Sequence, residues 1–558
     1  MISEALKKLV RIFWLLPGFL LWASFPPMAE KTDCVFALAP LIWLARNRDA
    51  KASFRCWFLN GFLFWFATLS WMPAIVKNGG PWPLVVLGWG ALAAYCALYF
   101  GAFGWLSSKI WAWVKDEGAA WREPPRFPYA RRLFAILVAE PLLWCGLELL
   151  RSRLFGGFSW NHLGLPLVNA NLGSPAALGG VYLVSAISIL VNGTIAGIAE
   201  RMMKRTTRWA SLETLVPFLL VWGLYAVAGN GERGTGNGEF RTVALVQRNF
   251  PCVFKPAERE DPIAVYSNLL ANVAYVRPDL VVLPESALCE FGAVDSPQSF
   301  VFARWVAKST GAREVIAGGA RFANGREYNS AALFSFGEPS GRQVGALLRD
   351  ARGPLGERAL PDFRSPFPVH QIYDKVHLVP FGEFIPGDKL ITALQKLAPV
   401  GSCTPGKLKL LGDYGVAICY EDTDSSQIRS LAKKGAKALV FVTNDSWFSN
   451  SVEAEQHAWQ AVARAIETGL PVVRVGNSGV TGSIAADGRA SWLCGVDGRP
   501  LVDERGTMCD RIVLGHGRKT VYMTLGDIPL AAIFALLIAL MVLVKYKDTY
   551  EKRRYLSM

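Results

Sequence analysis

No Cys-x-x-Cys pair occurs in the 558 residues, and the 10 cysteines and 5 histidines are scattered. Zinc sites and redox dithiols, which need closely spaced ligands, are set aside on that ground. Charge is scarce as well. Asp, Glu, Lys and Arg make up 19% of the chain against 52% hydrophobic residues, too few for a typical soluble protein of this length. No tract interleaves basic residues with exposed aromatics on a polar background, so the formal charge of +14 does not mark a nucleic-acid partner. No internal repeat, metal motif or organic-cofactor motif is visible, and none of these ligands is expected.

What the chain has instead is long apolar runs. They lie near residues 9–27, 34–46, 54–75, 84–107, 133–150, 180–199, 213–229 and 528–544. Each is long enough, or nearly so, to cross a hydrocarbon core of about 30 Å. Eight spans are therefore expected, the second short, interrupted by Pro40 and open to a re-entrant path. The 20 Trp and 32 Phe agree, because amphipathic rings favour the headgroup layer. Basic residues orient the spans, since cytoplasmic loops retain Lys and Arg. With Lys7, Lys8 and Arg11 inside, the alternation also puts inside Arg46 to Arg55, Lys109 to Arg132, Arg201 to Arg208 and the tail Lys545 to Arg554. The opposite loops, near 28–33 and 76–83, are almost uncharged. The first run is expected to stay as a span, because no small-x-small cleavage site precedes Pro26 and Pro27.

Three parts follow: a membrane domain over 1–229 with seven helices, an extracytoplasmic domain over 230–519, and a last helix with its tail over 520–558. The Gly-rich stretch Gly229 to Gly234 reads as a linker. Beyond it, β-branched runs at 242–247, 280–284, 315–319, 416–419, 438–443 and 472–475 read as buried strands, with helices such as 262–275 and 453–468 between them. Short continuous apolar strands separated by helices predict an α/β layered fold.

Three strand ends finish in reactive side chains: Leu283-Pro284-Glu285, Asp374-Lys375 running on to Glu383, and Ile418-Cys419-Tyr420-Glu421. Ligands gather at the carboxyl ends of strands in such sheets. A thiol attacks as thiolate and so needs a base or a cation nearby. Glu285 could be the base and Lys375 the cation, a set sufficient for acyl transfer. Singly, each has a plainer reading: Cys419 as core packing, Glu285 as a helix cap, Lys375 as a solvated charge. The conjunction favours chemistry.

These motifs resemble the apolipoprotein N-acyltransferase branch of the carbon–nitrogen hydrolase (nitrilase) superfamily, over essentially the whole chain. The motif Lys375-Val376-His377-Leu378-Val379-Pro380-Phe381-Gly382-Glu383 is the most specific element, beside Cys419-Tyr420-Glu421, Asn444-Asp445-Ser446-Trp447-Phe448 and Tyr328-Asn329-Ser330-Ala331. The resemblance implies a polytopic membrane domain joined to an α-β-β-α sandwich, with Glu285, Lys375 and Cys419 catalytic and Glu383, Tyr420, Glu421 and Asn329 in support. It places Asn444, Trp447 and Phe448 at the acyl and lipid pocket. Glu148 to Arg151 and Gly157 to Trp160 resemble the family's membrane-side motif, which would bring Arg151 and Trp160 to the lipid, with interfacial snorkelling of Arg151 as the alternative. Leu283, Leu288, Arg248 and Thr524 depart from the family's usual residues, and the Gly-, Pro- and Arg-rich stretch Ser340 to Gln371 is longer than usual.

The implied reaction has two steps. A membrane phospholipid, phosphatidylethanolamine being the expected donor, acylates Cys419, and the α-amine of a diacylglyceryl lipoprotein then takes the acyl group. A monomer in the bacterial inner membrane, with its catalytic domain on the periplasmic side, is the expected form. Two rivals stay open: an amidase in which water resolves the thioester, and a non-enzymatic scaffold or transporter that keeps the domain for binding. Against the transporter, no run carries a cluster of ionisable residues, Glu140 and Glu148 aside. On the oxidising side, Cys252, Cys289, Cys403, Cys494 and Cys509 accompany Cys419, and Cys494 is expected to pair with Cys509.

Overall fold

A computed structural model describes residues 14–115, 128–204, 210–229, 238–250, 260–336, 370–380, 382–384, 403–515 and 519–556. The expected linker after Gly229, Cys252, most of the stretch Ser340 to Gln371, and Lys7, Lys8 and Arg11 lie outside the described residues.

The membrane part is built from α1 (Leu16–Ala23), α2 (Ala39–Asn47), α3 (Ala50–Thr68), α4 (Trp82–Lys115), α5 (Glu140–Arg151), α6 (Ala176–Lys204) and α7 (Ala210–Gly229). Among the described residues five helices are long and apolar enough to cross a membrane: Ala50–Asn78, Trp82–Lys115, Ala130–Arg151, Ala176–Met203 and Leu212–Gly229. Ile528–Leu543 is a shorter apolar helix. Within the described residues, which leave out residues 9–13 of the first run, the first two expected spans hold α1 and α2, of 8 and 9 residues. At 1.5 Å per residue these cover roughly 12 to 14 Å, less than half of the hydrocarbon core. The turn expected between the two runs is present, with Pro26, Pro27 and the polar stretch Glu30 to Asp33 separating α1 from α2. Glu140 is a cross-brace: its carboxylate pairs with Arg46 at 2.9 Å and accepts from Ser107 Oγ at 2.7 Å and Trp111 Nε1 at 2.9 Å. A buried charge held by three donors from two other helices fits packing, not transport.

Among the described residues the globular part holds two sheets. One has six strands in the order β11-β1-β2-β3-β4-β5 and the other five, β10-β9-β8-β7-β6. The strands are β1 (Phe240–Gln247), β2 (Leu280–Val282), β3 (Glu314–Ala323), β4 (Arg326–Ser335), β5 (Gln371–Asp374), β6 (Tyr414–Ile418), β7 (Ala438–Thr443), β8 (Val472–Gly476), β9 (Gly482–Ile484), β10 (Ala490–Trp492) and β11 (Gly506–Val513). In each sheet three strands run parallel, β1-β2-β3 and β6-β7-β8, and antiparallel strands extend them.

Alternation along each strand explains the layers. Val243, Leu245, Val440 and Val442 point between the sheets into one core. Ala244 and Val246 point outward onto α8 (Pro262–Ala274) and α9 (Pro297–Thr310), which start at Asp261 and Ser296 caps followed by proline. On the far side, Leu439 and Phe441 pack under α10 (Ser425–Lys433) and α11 (Glu453–Thr468). This last core has no outer boundary: it continues through Ala461, Val462 and Ile466 into Phe25, Trp71 and Trp160 of the membrane part. The layers are therefore α-β-β-α, with one helical layer seated on the spanning helices.

The expected Cys494–Cys509 pairing is not present, and both thiols are free. Cys494 follows β10 of the five-stranded sheet, whereas Cys509 lies on β11 opposite Ala244 in the six-stranded one. Cys289 and Cys403 are free as well.

Candidate active site

The three reactive residues come from three strand ends and meet at one end of the sandwich. Glu285 follows β2, Lys375 follows β5 and Cys419 follows β6. The turn at Glu285 fits only because Gly318 on β3 lacks a side chain: a Cβ there would sit 2.7 Å from the Glu285 Cα. Cys419 has a φ of 53°, a left-handed conformation that non-glycine residues seldom adopt. The bend turns the chain from an apolar strand into a one-turn helix, Cys419–Thr423, and puts the thiol at the end of the sheet.

Asn329 on β4 links the acids. Its Nδ2 donates to Glu285 Oε1 and to Glu383 Oε1, each at 2.7 Å. Glu383 in turn pairs with Lys375 Nζ through both oxygens, at 3.0 and 2.9 Å. Its Oε2 also accepts from the Val379 N–H at 2.8 Å, closing the motif loop on itself. Among the described residues Glu285 Oε2 is buried without a hydrogen-bond partner, which leaves one face of the base open for a proton.

Burial and charge set the proton affinities. Burial lifts the Glu285 carboxyl above the ordinary glutamate range, and Lys375 offsets only part of that rise. Burial raises the Cys419 thiol well above the usual cysteine value, Glu285 adds to the rise, and Lys375 opposes it. Burial works against the Lys375 ammonium, but Glu383, then Cys419 and Glu285, hold its pKa above the ordinary lysine value. The resting state is thus a thiol beside a strengthened base and a permanent cation. Cys419 can pass its proton to Glu285 as it attacks, with charge developing under Lys375.

Glu421 fastens the parts together. Its Oε1 accepts from the Val376 and His377 N–H groups at 2.7 and 3.1 Å, and its Oε2 from Ile418 N–H at 2.8 Å. Tyr373 and Gln427 complete its shell. Arg248, a departure from the family's usual glycine, is buried and donates to the Ser286 carbonyl at 2.8 Å, Asn477 Oδ1 at 3.1 Å and Glu290 at 2.7 Å. It braces the turn that carries Glu285.

The membrane side supplies the wall. Tyr420, next to Cys419, stacks on Trp160 at 6.4 Å and reaches the Gly157 carbonyl at 3.4 Å. Phe448 meets Trp71 edge-on at 4.7 Å, and the Trp447 carbonyl accepts from Asn78 at 2.8 Å. Arg151 is only 3% exposed. Its Nη1 donates to the Phe158 and Trp160 carbonyls at 2.6 and 2.8 Å and its guanidinium lies 4.8 Å over Trp65, so it neither snorkels nor faces solvent. Asn444 points inward, accepting from Ser446 and Asn477, and shapes the loop from within.

Sequence reasoning missed a buried network behind the nucleophile. His457 on α11 places Nδ1 2.9 Å from Asp445 and Nε2 3.0 Å from Asp422, while Arg474 pairs with the same two carboxylates. Burial opposes the imidazolium, yet Asp422 and Asp445 push its pKa up to about 10. Asp445, Glu453 and His457 come within 4.8 Å of one another, a spacing that could hold a metal ion. Arg474 already supplies the positive charge there, so the group closes as an ion network. Gln456, the neighbouring residue, faces the other way. It accepts from Trp71, Trp160 and Asn161 and donates to the Pro26 and Thr68 carbonyls.

Comparison with known proteins agrees in outline. Residues 17–194 match the apolipoprotein N-acyltransferase N-terminal domain, and residues 242–506 match the carbon–nitrogen hydrolase domain. The apolipoprotein N-acyltransferase of Geobacter metallireducens is 29% identical over 548 residues, covering 94% of this chain and 93% of its own. That of Haemophilus influenzae is 25% identical over 558 residues, covering 97% and 96%. Among solved structures, an amidase mutant from Nesterenkonia sp. AN1 aligns with 49% of this chain and 92% of its own at 14% identity, with a TM-score of 0.31.

Proposed function

This chain belongs to the apolipoprotein N-acyltransferase family, and from that we infer that it is a membrane acyltransferase that moves a fatty acyl group from a phospholipid to the α-amine of a diacylglyceryl-cysteine lipoprotein. The observation that carries the reading is the convergence of Glu285, Lys375 and Cys419 beside a wall, Trp160, contributed by the membrane part. A soluble substrate needs no such wall, whereas two lipid-anchored substrates must be met at the bilayer.

In the first half-reaction the Cys419 sulfur attacks the ester carbonyl while its proton passes to Glu285. Lys375 Nζ holds the developing oxyanion, helped by backbone N–H near Tyr420. As the tetrahedral adduct collapses, the C–O bond breaks, Glu285 returns the proton to the leaving oxygen, and lysophospholipid departs from a Cys419 thioester. In the second half the lipoprotein amine attacks the thioester carbonyl, gives a proton to Glu285 and leaves as an amide. The Cys419 sulfur takes the proton back. Glu383 and Asn329 keep Lys375 and Glu285 in register, and Glu421 keeps the Lys375 loop against the Cys419 turn.

The donor is phosphatidylethanolamine, the working unit a monomer, and the membrane the bacterial inner membrane with the catalytic domain on the periplasmic side. The distribution of Lys and Arg supports this orientation. The test is product analysis with a synthetic diacylglyceryl-cysteine peptide. Lysophospholipid together with N-acylated peptide in equal amounts is expected; free fatty acid with unmodified peptide would instead establish a hydrolase.

A further inference from the structure

We propose that Phe155 is a lipid-inserted entry post, standing in the acyl region of the bilayer and leading the donor's chain into an aromatic lane that ends beside Cys419. The proposal rests on the acyl-transfer reading above.

Phe155 lies just past the end of α5, in a loop where Phe155, Gly156 and Gly157 have φ of 55°, 89° and 79°. The glycines adopt this left-handed backbone freely, but a phenylalanine does not. The result is a side chain that is 90% exposed, between Arg151 and Trp160, which are 3% and 2% exposed. Slack does not account for it, because the loop is pinned on both sides. Gly157 N–H donates to the Leu154 carbonyl and Phe158 N–H to the Arg151 carbonyl, each at 2.9 Å. Arg153 pairs with Asp424 at 3.2 Å and Asp527 at 2.6 Å.

Two observations identify what covers the ring. Leu154, Leu150 and Leu98 are also exposed, so Phe155 continues the bilayer-facing surface of α4 and α5, where a phenyl group gains by leaving water. The ring is also the outer member of a series that runs inward. Phe155 meets Tyr95 edge-on at 6.1 Å, and Tyr95 meets Tyr99 at 5.3 Å. Tyr99 and Trp65 line one cleft together with Phe64, Phe100 and Leu147, and Glu148, Arg151 and Asn161 line its polar side. From Trp65 the series passes to Phe158 at 5.9 Å, to Trp160 at 6.4 Å and to Tyr420 at 6.4 Å, the residue after Cys419. These ring contacts form a packed series from the bilayer face to the residue after Cys419, in which Trp65 and Trp160 are 1% and 2% exposed.

The full chain is placed in nanodiscs of ether phospholipids, which have no ester to attack. The donor is offered either as long-chain phosphatidylethanolamine in the disc or as dihexanoyl phosphatidylethanolamine below its micelle concentration. The variants are Phe155→Asn, which suits a left-handed backbone and removes the apolar ring, and Phe155→Trp, which keeps an aromatic. Acylation of Cys419 is followed by intact mass. Phe155→Asn slows acylation from the disc by about tenfold or more, leaves the dissolved donor within about twofold, and Phe155→Trp restores the disc rate. Equal slowing with both donors, or none with the disc donor, overturns the proposal. A wild type acylated by neither donor removes the acyl-transfer reading along with it.

Discussion

Replacing Glu421 with Gln tests whether one buried carboxylate sets the register between cation and nucleophile. The two side chains differ by a single polar group, yet both oxygens of Glu421 accept backbone N–H groups: Val376 and His377 on one, Ile418 on the other. Whichever way a Gln amide turns, its NH2 faces a backbone donor. At least one charge-assisted bond, worth about 1.5–3 kcal/mol, is then lost and a buried N–H is left unsatisfied at a further 1–3 kcal/mol or so. About 3 kcal/mol of destabilisation follows. The consequence for rate is larger than for a remote site, because Ile418 immediately precedes Cys419 and Val376 immediately follows Lys375. A misplacement of about 1 Å between reacting groups costs on the order of a hundredfold. Single-turnover acylation of Glu421→Gln, measured by intact mass on protein shown to be folded, should fall by about a hundredfold. A rate within about threefold of wild type, with the thermal midpoint unchanged, would refute the reasoning.

Other outcomes follow from the same geometry. Acylation should lose rate as pH falls through the raised pKa of Glu285, so the acid limb lies above the ordinary glutamate value of about 4.3. Lys375→Met should move that limb further up, because Lys375 is the charge that lowers it; a limb at the ordinary value in wild type contradicts this. His457 has its folded pKa raised to about 10 from 6.5, so its contribution to stability is complete below pH 6.5 and lost as pH rises toward 10. Thermal midpoints should decline across that interval in wild type and less in His457→Asn. Gln456→Leu leaves the Trp71 and Trp160 N–H groups without their acceptor and should cost about 3 kcal/mol, read as a lowered thermal midpoint. Alkylation of unreduced, unfolded protein followed by peptide mapping should label Cys494 and Cys509 alike; a mass corresponding to a linked pair would contradict the free thiols.

Much of this site was legible because its chemistry ends apolar strands. The strands read at 242–247, 280–284, 416–419 and 438–443 form as β1, β2, β6 and β7, and the helices read at 262–275 and 453–468 form as α8 and α11. Glu285 and Cys419 stand where a buried run stops, a change of polarity that needs no tertiary knowledge. What stayed hidden depends on partners distant in sequence. The family resemblance names Asn329, but its bonds to two acids 44 and 54 residues away follow only from β4 lying between β3 and β5. Gln456 and His457 look like the polar face of an amphipathic helix, but the membrane part covers Gln456 while Asp422, Asp445 and Arg474 enclose His457. The strands β9 and β10 are three residues each, too short for alternation to declare itself. Within the described residues the first two apolar runs hold the short helices α1 and α2, because hydropathy registers apolar length and not where a helix starts and stops.

The central claim is that Cys419 carries the acyl group covalently. Purified protein incubated with phosphatidylethanolamine in the absence of a lipoprotein acceptor should gain the mass of one acyl chain, located on Cys419 and released by hydroxylamine, while Cys419→Ser gains none in the same time. Lysophospholipid production with no added mass on the wild type, or equal modification of the Cys419→Ser variant, would contradict it.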